Sequence, residues 1–269
     1  MVSRALIAIA AAGAVALSLP SLAVARDHAR VQGTFRMRAR VIAAVNVRGE
    51  HRGQRLTRTW TIVPGGCTRN RCRTLRVTRT RGGGRISRLT LHRLRGGGFA
   101  GHGVFWVALS CDGRTYPHGG RAPYSLSLRI KRARAVGGVR FARRITATYR
   151  NRRRSDSTRC PLGPSHDAAR YSGTVVAGIP SPPAVSFTAA VDPLDDVATF
   201  TDTSTPGAGG GPLVAWQWSF GDPASGTADQ SAAENPQHRF SAAGSYPVTL
   251  QVTDARGLSA SSTVAVTVP

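Results

Sequence analysis

After residue 25, no stretch of the 269-residue chain could cross a bilayer as a helix, which takes roughly 20 apolar residues. A polytopic helical membrane protein is thereby excluded. Nor does any stretch keep a 3.6-residue hydrophobic period beyond a turn or two, so a helical bundle is excluded as well. The Gly-x-Ser-x-Gly elbow of the α/β-hydrolases is missing. The seven histidines are scattered, without a His-x-His or His-Glu-x-x-His unit, and the cysteines do not pair as C-x-x-C units. No zinc centre is expected from such spacing. Lysine is almost absent, with Lys131 alone among 37 basic residues.

The chain opens on the pattern of an export signal over residues 1–25. Arg4 supplies the charged start, Ala5 to Leu19 an apolar run, Pro20 a helix break, and Ala23-Val24-Ala25 a small-x-small cleavage site. An uncleaved anchor is the alternative, and Pro20 with the cleavage site favours removal. The sequence finishes at Val268-Pro269 without a sorting tail. The expected location is therefore extracellular, released or held non-covalently at the cell envelope.

Charge divides what remains. From Arg26 to Val175, 34 Arg or Lys stand against five acids, a net charge of +29. From Val176 onward, two basic residues (Arg239, Arg256) stand against eight acids, a net charge of −6. Such asymmetry points to two modules: a basic domain over 26–177 and a second domain over 184–269. Between them, Gly178-Ile179-Pro180-Ser181-Pro182-Pro183 (178–183) reads as a stiff connector. Codon bias explains why the cations are arginine. It does not explain their confinement to one half.

The basic domain is patterned with period two. From Phe35 to Val47 the odd positions are apolar, while Arg36, Arg38 and Arg40 alternate with them, as in a strand with one wet face. Tyr124, Leu126, Leu128 and Ile130 alternate with Ser125, Ser127, Arg129 and Lys131. Ile145, Ala147 and Tyr149 alternate with Arg144, Thr146, Thr148 and Arg150. Further strands are expected near 55–64, 72–81, 86–94, 103–111 and 170–176. Turns are expected at Pro64-Gly65-Gly66, Gly82-Gly83-Gly84, Gly96-Gly97-Gly98, Asp112-Gly113 and Gly137-Gly138. About eight short strands imply an all-β antiparallel barrel or sandwich, and the short connections favour a barrel-like meander. The outward cations Arg36, Arg38, Arg40, Arg129, Lys131, Arg144 and Arg150 are candidate anion-binding residues, because guanidinium forks match carboxylate and phosphate. Simple solubility is the competing explanation. Four cysteines suit an exported protein. Of the three pairings open to them, Cys67–Cys72 across a hairpin and Cys111–Cys160 are expected.

Several strings invite a catalytic or cofactor reading and fail. Gly96-x-Gly98-x-x-Gly101 matches a dinucleotide fingerprint, but a strand follows where a helix is required. Ser165-His166-Asp167 holds the letters of a triad, yet neighbouring residues point in different directions and cannot align as nucleophile, base and orienter. His118-Gly119-Gly120 resembles an oxyanion loop without a nucleophile. Loops are expected at both segments. Arg81-Gly82-Gly83-Gly84-Arg85 and Arg95-Gly96-Gly97-Gly98 are hairpin turns before they are RGG boxes. No cofactor and no catalysis are expected.

The second domain carries Trp218-Ser219-Phe220-Gly221-Asp222, then Asn235-Pro236-Gln237-His238-Arg239-Phe240. Gly244-Ser245-Tyr246-Pro247-Val248-Thr249-Leu250-Gln251-Val252-Thr253-Asp254 follows, and Ser262 to Val268 ends the chain as a strand. In order and spacing these resemble the PKD family over about 183–269, on the signature Trp218, Phe220, Gly221, Asp222, Asn235, Pro236, His238, Gly244 and Tyr246. The resemblance implies an immunoglobulin-like β-sandwich that contacts proteins or carbohydrates outside the cell. Trp216, Trp218 and Phe220 share a face and are expected in its core. Pro223 stands where the family usually has glycine, and Ala224 to Ala233 lengthen the loop. Some relatives bind calcium; Asp195, Asp196, Asp222 and Asp254 are the available acids, and turn hydrogen bonding is the favoured role for the last two.

The expected function is that of a secreted, non-enzymatic binding or adhesion protein. Its basic domain would meet anionic wall or extracellular polymers, with nucleic acid only a non-specific polyanion, and its PKD module would meet surface protein or carbohydrate. The alternative is a carrier with a small ligand inside an N-terminal barrel.

Overall fold

A computed structural model describes residues 28–47, 49–80, 84–156 and 165–269, with the backbone alone at 153–156. The export signal, Gly82, Gly83 and Cys160 lie outside the described residues. Eight antiparallel strands close into a barrel in sequence order: β1 (Gly33–Val45), β2 (Arg55–Thr68), β3 (Arg71–Thr80), β4 (Ile86–Arg93), β5 (Phe99–Cys111), β6 (Arg114–Val136), β7 (Val139–Asp156) and β8 (Ser165–Ala177). The all-β expectation holds, and of the two alternatives for the first domain the barrel is the one that forms. Closure comes from β1 pairing with β8 along most of its length.

The period-two pattern decides what fills the barrel. Phe35, Met37, Trp60, Ile62, Leu75, Leu126, Leu128 and Ile145 point inward and are buried. Gly173 on β8 allows this, because a Cβ there would overlap the Met37 sulfur. Asp112 and Gly113 turn β5 into β6 with left-handed φ of 51° and 69°, the geometry that fits a two-residue hairpin.

Three local expectations are corrected. Pro64-Gly65-Gly66 is not a turn: β2 runs through it, and the chain reverses at Arg69-Asn70. The glycines serve close approach instead, since a Cβ at Gly65 would lie 2.6 Å from Thr74 Oγ1. That extension sets Cys67 opposite Cys72, where they form a disulfide. Ser165-His166-Asp167 and His118-Gly119-Gly120 are strand, not loop, in β8 and β6. Strand alternation buries Ser165 and Asp167 and leaves His166 less covered, so the three do not converge.

Seven further strands make two facing sheets. One has order β13 (Gln237–Arg239), β10 (Val197–Asp202), β9 (Phe187–Asp192). The other has order β12 (Gln230–Ser231), β11 (Leu213–Ser219), β14 (Gly244–Asp254), β15 (Ser259–Val268). Phe200, Trp218, Phe220, Phe240, Val248 and Leu250 fill the sandwich between them.

The barrel and sandwich are in contact at one end of the barrel. Residues 29–31 pair with the start of β7, through Arg30 N–H to Arg140 O (2.8 Å) and Ala142 N–H to Arg30 O (2.9 Å). Ala29 and Val31 are thereby sealed into the barrel core. The Arg30 guanidinium then donates to Arg69 O at 2.7 Å and to Arg256 O of the sandwich at 2.8 Å. Beside it, Val139 and Phe141 pack against Leu258, and Ser259 N–H donates to Gly137 O at 3.0 Å. Within the connector, Pro180 is buried and Ser181 N–H donates to Ala208 O at 2.9 Å. The opposite end of the barrel, where β1 ends and β2 begins, is the distal end.

Candidate anion-binding wall and barrel interior

Strand pairing places the outward cations in rows across the barrel wall. Arg40 on β1 lies directly opposite Arg55 on β2 and Arg170 on β8. All three are exposed. Arg38 lies one row below, in the row Arg129–Thr146–Ser172–Arg38 across β6, β7, β8 and β1. Three strand spacings separate its ends, about 14 Å. Arg36 and Arg144 flank Thr174 in the next row. Arg150 sits further along β7 and borders a separate surface groove with Arg121 and Arg152. Lys131 is exposed on β6 next to the Ile130–Arg132 irregularity. Thus Arg36, Arg38, Arg40, Arg129 and Arg144 share one wall, while Lys131 and Arg150 lie toward its margins.

The residues that concentrate this wall are Arg55 and Arg170, which join Arg38 and Arg40 around a groove of about 610 Å³. Arg52 adds a further cation beside Arg40 and Arg170. Sequence pattern does not reveal this cluster, because it arises from register between strands distant in sequence. Among the described residues, no carboxylate pairs with Arg38, Arg40, Arg55 or Arg170. Like charges set opposite each other across strands repel.

Among the described residues, Arg79 is the arginine that is buried, set on the inward face and not with the outward cations. Leu75, Val77 and Arg79 share a face of β3, so the alternation that buries the first two carries Arg79 into the barrel, where it is 5% exposed. The pattern Leu75-Arg76-Val77-Thr78-Arg79 contains that signal. The Arg79 guanidinium lies 4.7 Å from the ring centre of Tyr124, 5.8 Å from Trp60 and 6.0 Å from Tyr149. These faces offset part of the cost of burying a cation. Its Nε–H donates to Ser87 Oγ at 3.2 Å. Beside it, at the distal end, is a cavity of about 300 Å³ whose lining includes Leu56, Arg58, Phe105 and Tyr171. Burial pushes the Tyr171 phenol above its usual value, with Arg79 and Arg58 opposing that shift.

In the sandwich, the signature residues are structural partners of one another. Asp222 accepts from Ser241 Oγ at 2.6 Å and Ser241 N–H at 2.9 Å, and lies 3.3 Å from His238 Nε2. Burial alone would raise this carboxyl; the Ser241 contacts and His238 outweigh it, and Asp222 is held below the usual carboxylate value. His238 stacks on Phe220 at 4.2 Å. Asn235 Oδ1 accepts from Asp202 N–H, and Pro236 O from Phe200 N–H. Gly221 takes φ 72° with Pro247 packed against it. Gly244 opens β14, and the Tyr246 hydroxyl donates to Ala242 O at 2.7 Å, a corner contact common in such sandwiches. Trp218 and Phe220 are buried, while Trp216 sits at the core edge with Nε1–H donating to Asp202 Oδ2 at 2.7 Å. The lengthened loop forms the 3-10 segment Pro223–Asp229.

Asp254 accepts from the amides of Arg256, Leu258 and Gly211. Asp195 and Asp196 sit apart, in the β9–β10 turn. Among the described residues, no three His, Cys, Asp or Glu side chains converge as metal ligands would. Cys111 is disulfide-bonded; Cys160, its expected partner, lies outside the described residues.

Comparison with known proteins bears on the sandwich alone. The family model described as PKD domain matches residues 180–268, and this region is a PKD domain. The PKD1 domain of Vibrio anguillarum Epp is 26% identical, covering 34% of this chain and 96% of its own, with a TM-score of 0.29. The PKD1 domain of the Vibrio cholerae metalloprotease PrtV is 29% identical, covering 32% of this chain and 96% of its own, with a TM-score of 0.28. No curated protein matches the chain, and no family model is matched by the barrel.

Proposed function

We propose that this is an exported, non-enzymatic binding protein whose barrel engages anionic polymers of the cell envelope or extracellular matrix. The observation that carries the reading is Arg40 set between Arg55 and Arg170 on the outer wall. A fold gains nothing from aligning three like charges, and solubility needs no such clustering. A row of phosphates or carboxylates would neutralise it and exchange forks for bidentate contacts. Export is supported by the signal-like residues 1–25 and by the Cys67–Cys72 disulfide, a bond that persists in oxidising compartments. The PKD domain serves as the second contact module, toward surface protein or carbohydrate, and its contact with the barrel base fixes the wall relative to that module.

The test is binding of the purified chain to immobilised poly(glycerol phosphate) teichoic acid across a salt series. The affinity is expected to fall steeply as salt rises, as screening requires. Salt-independent binding, or none at low salt, contradicts the proposal.

A further inference from the structure

We propose that the distal cavity of the barrel is a binding site for a small amphipathic monoanion, a carboxylate or sulfonate on an apolar body, held by Arg79. A guanidinium offers five N–H donors. At Arg79, Nε–H is bonded to Ser87, and among the described residues no other hydrogen bond or carboxylate partner engages the group. A buried cation is costly unless it is paired and hydrogen-bonded. Aromatic faces cover one side of the group, and the cavity lies beside it. A carboxylate or sulfonate placed there would accept from the two terminal nitrogens, the geometry in which arginine binds most strongly.

The lining sets the rest of the ligand. Leu56, Phe105, Val41 and Trp60 offer apolar and aromatic surface. The volume, about 300 Å³, is at the small end of the range for ligand pockets, about 300–1,000 Å³. Among the described residues, Arg58, Arg79 and Arg85 line the cavity with Glu50 and Asp167, three cations to two acids. Both acids are already engaged within the protein. One anionic group matches the charge of this described lining. A polyanion chain is the wrong shape for it, which separates this site from the outer wall.

The experiment is calorimetric titration of the full chain with cinnamate and, separately, with its uncharged methyl ester; octanoate and 1-anilinonaphthalene-8-sulfonate serve as further anionic probes. Cinnamate is expected to bind one to one, and the ester at least about tenfold more weakly, the scale of one charge-assisted hydrogen bond. Arg79→Gln should erase that difference, while Arg40→Gln on the outer wall should leave it intact. Equal affinity for acid and ester, or no binding of any of the three anions at millimolar concentration, overturns the proposal without recourse to a variant. Should Arg79→Gln fold, as judged by near-ultraviolet circular dichroism, and still prefer the acid, Arg79 is not the anchor.

Discussion

The guanidinium of Arg79 lies 4.7 Å from the centre of the Tyr124 ring, and Tyr124 occupies the space that a side chain at Gly103 would need. A Cβ at Gly103 would approach the Tyr124 hydroxyl oxygen to 2.5 Å. Gly103→Ala is therefore expected to displace the ring and destabilise the barrel by about 1–3 kcal/mol, the scale of overpacking. Gly96→Ala, with nothing within 4 Å, is expected to change stability by less than about 0.5 kcal/mol. Urea titration of both variants checks the contrast.

Arg40 gives a prediction of the opposite sign. Because Arg55 and Arg170 flank it on both neighbouring strands, Arg40→Thr should stabilise the barrel at low salt. The expected gain is about 0.2–1 kcal/mol, the range of cross-strand charge effects. It should shrink as salt is added. Thermal unfolding at two ionic strengths measures it, and destabilisation at low salt would contradict the reading of the row as repulsive.

The outward arginines and the barrel core were legible because one alternation encodes both: Phe35 and Met37 against Arg36 and Arg38. The PKD domain was legible because Trp218, Asp222, His238 and Tyr246 recur at fixed spacing. The cluster of Arg40, Arg55 and Arg170 was not, since register depends on pairing between β1, β2 and β8, which local pattern does not carry. Arg79 was hidden by composition: among so many outward arginines, one at the end of an inward series does not stand out. At Pro64-Gly65-Gly66, turn chemistry and close strand approach call for the same residue, and the sequence alone does not separate them.

Asp222 sets an acid limit on the sandwich. Its carboxyl is held below the usual value, so the folded state favours the ionised form. That contribution is complete above the unfolded aspartate value, about 3.9, and is lost as pH falls through the lower folded value. Stability followed by the fluorescence of Trp216 and Trp218 should thus decline below about pH 4. Asp222→Asn should lower stability at neutral pH by about 1–3 kcal/mol and flatten the acid dependence.

Leu258 and Arg30 tie the two units together. Leu258→Ser with Arg30→Ala removes the apolar contact with Phe141 and the hydrogen bond to Arg256 O. The radius of gyration from X-ray scattering should rise, and protease cleavage within 178–183 should accelerate, while circular dichroism keeps its β signature. An unchanged radius would mean that other contacts hold the units together.

The outer wall is tested most directly by the salt slope of polyanion binding in the triple variant Arg40→Gln, Arg55→Gln, Arg170→Gln. With generic double-stranded DNA as the calibrated probe, each neutralised phosphate contributes about 0.9 to the slope of log affinity against log salt. Loss of three such contacts should flatten the slope by about 2–3 while the fold is kept. An unchanged slope would mean that the polyanion binds elsewhere, and the account of the barrel as an arginine wall would fail.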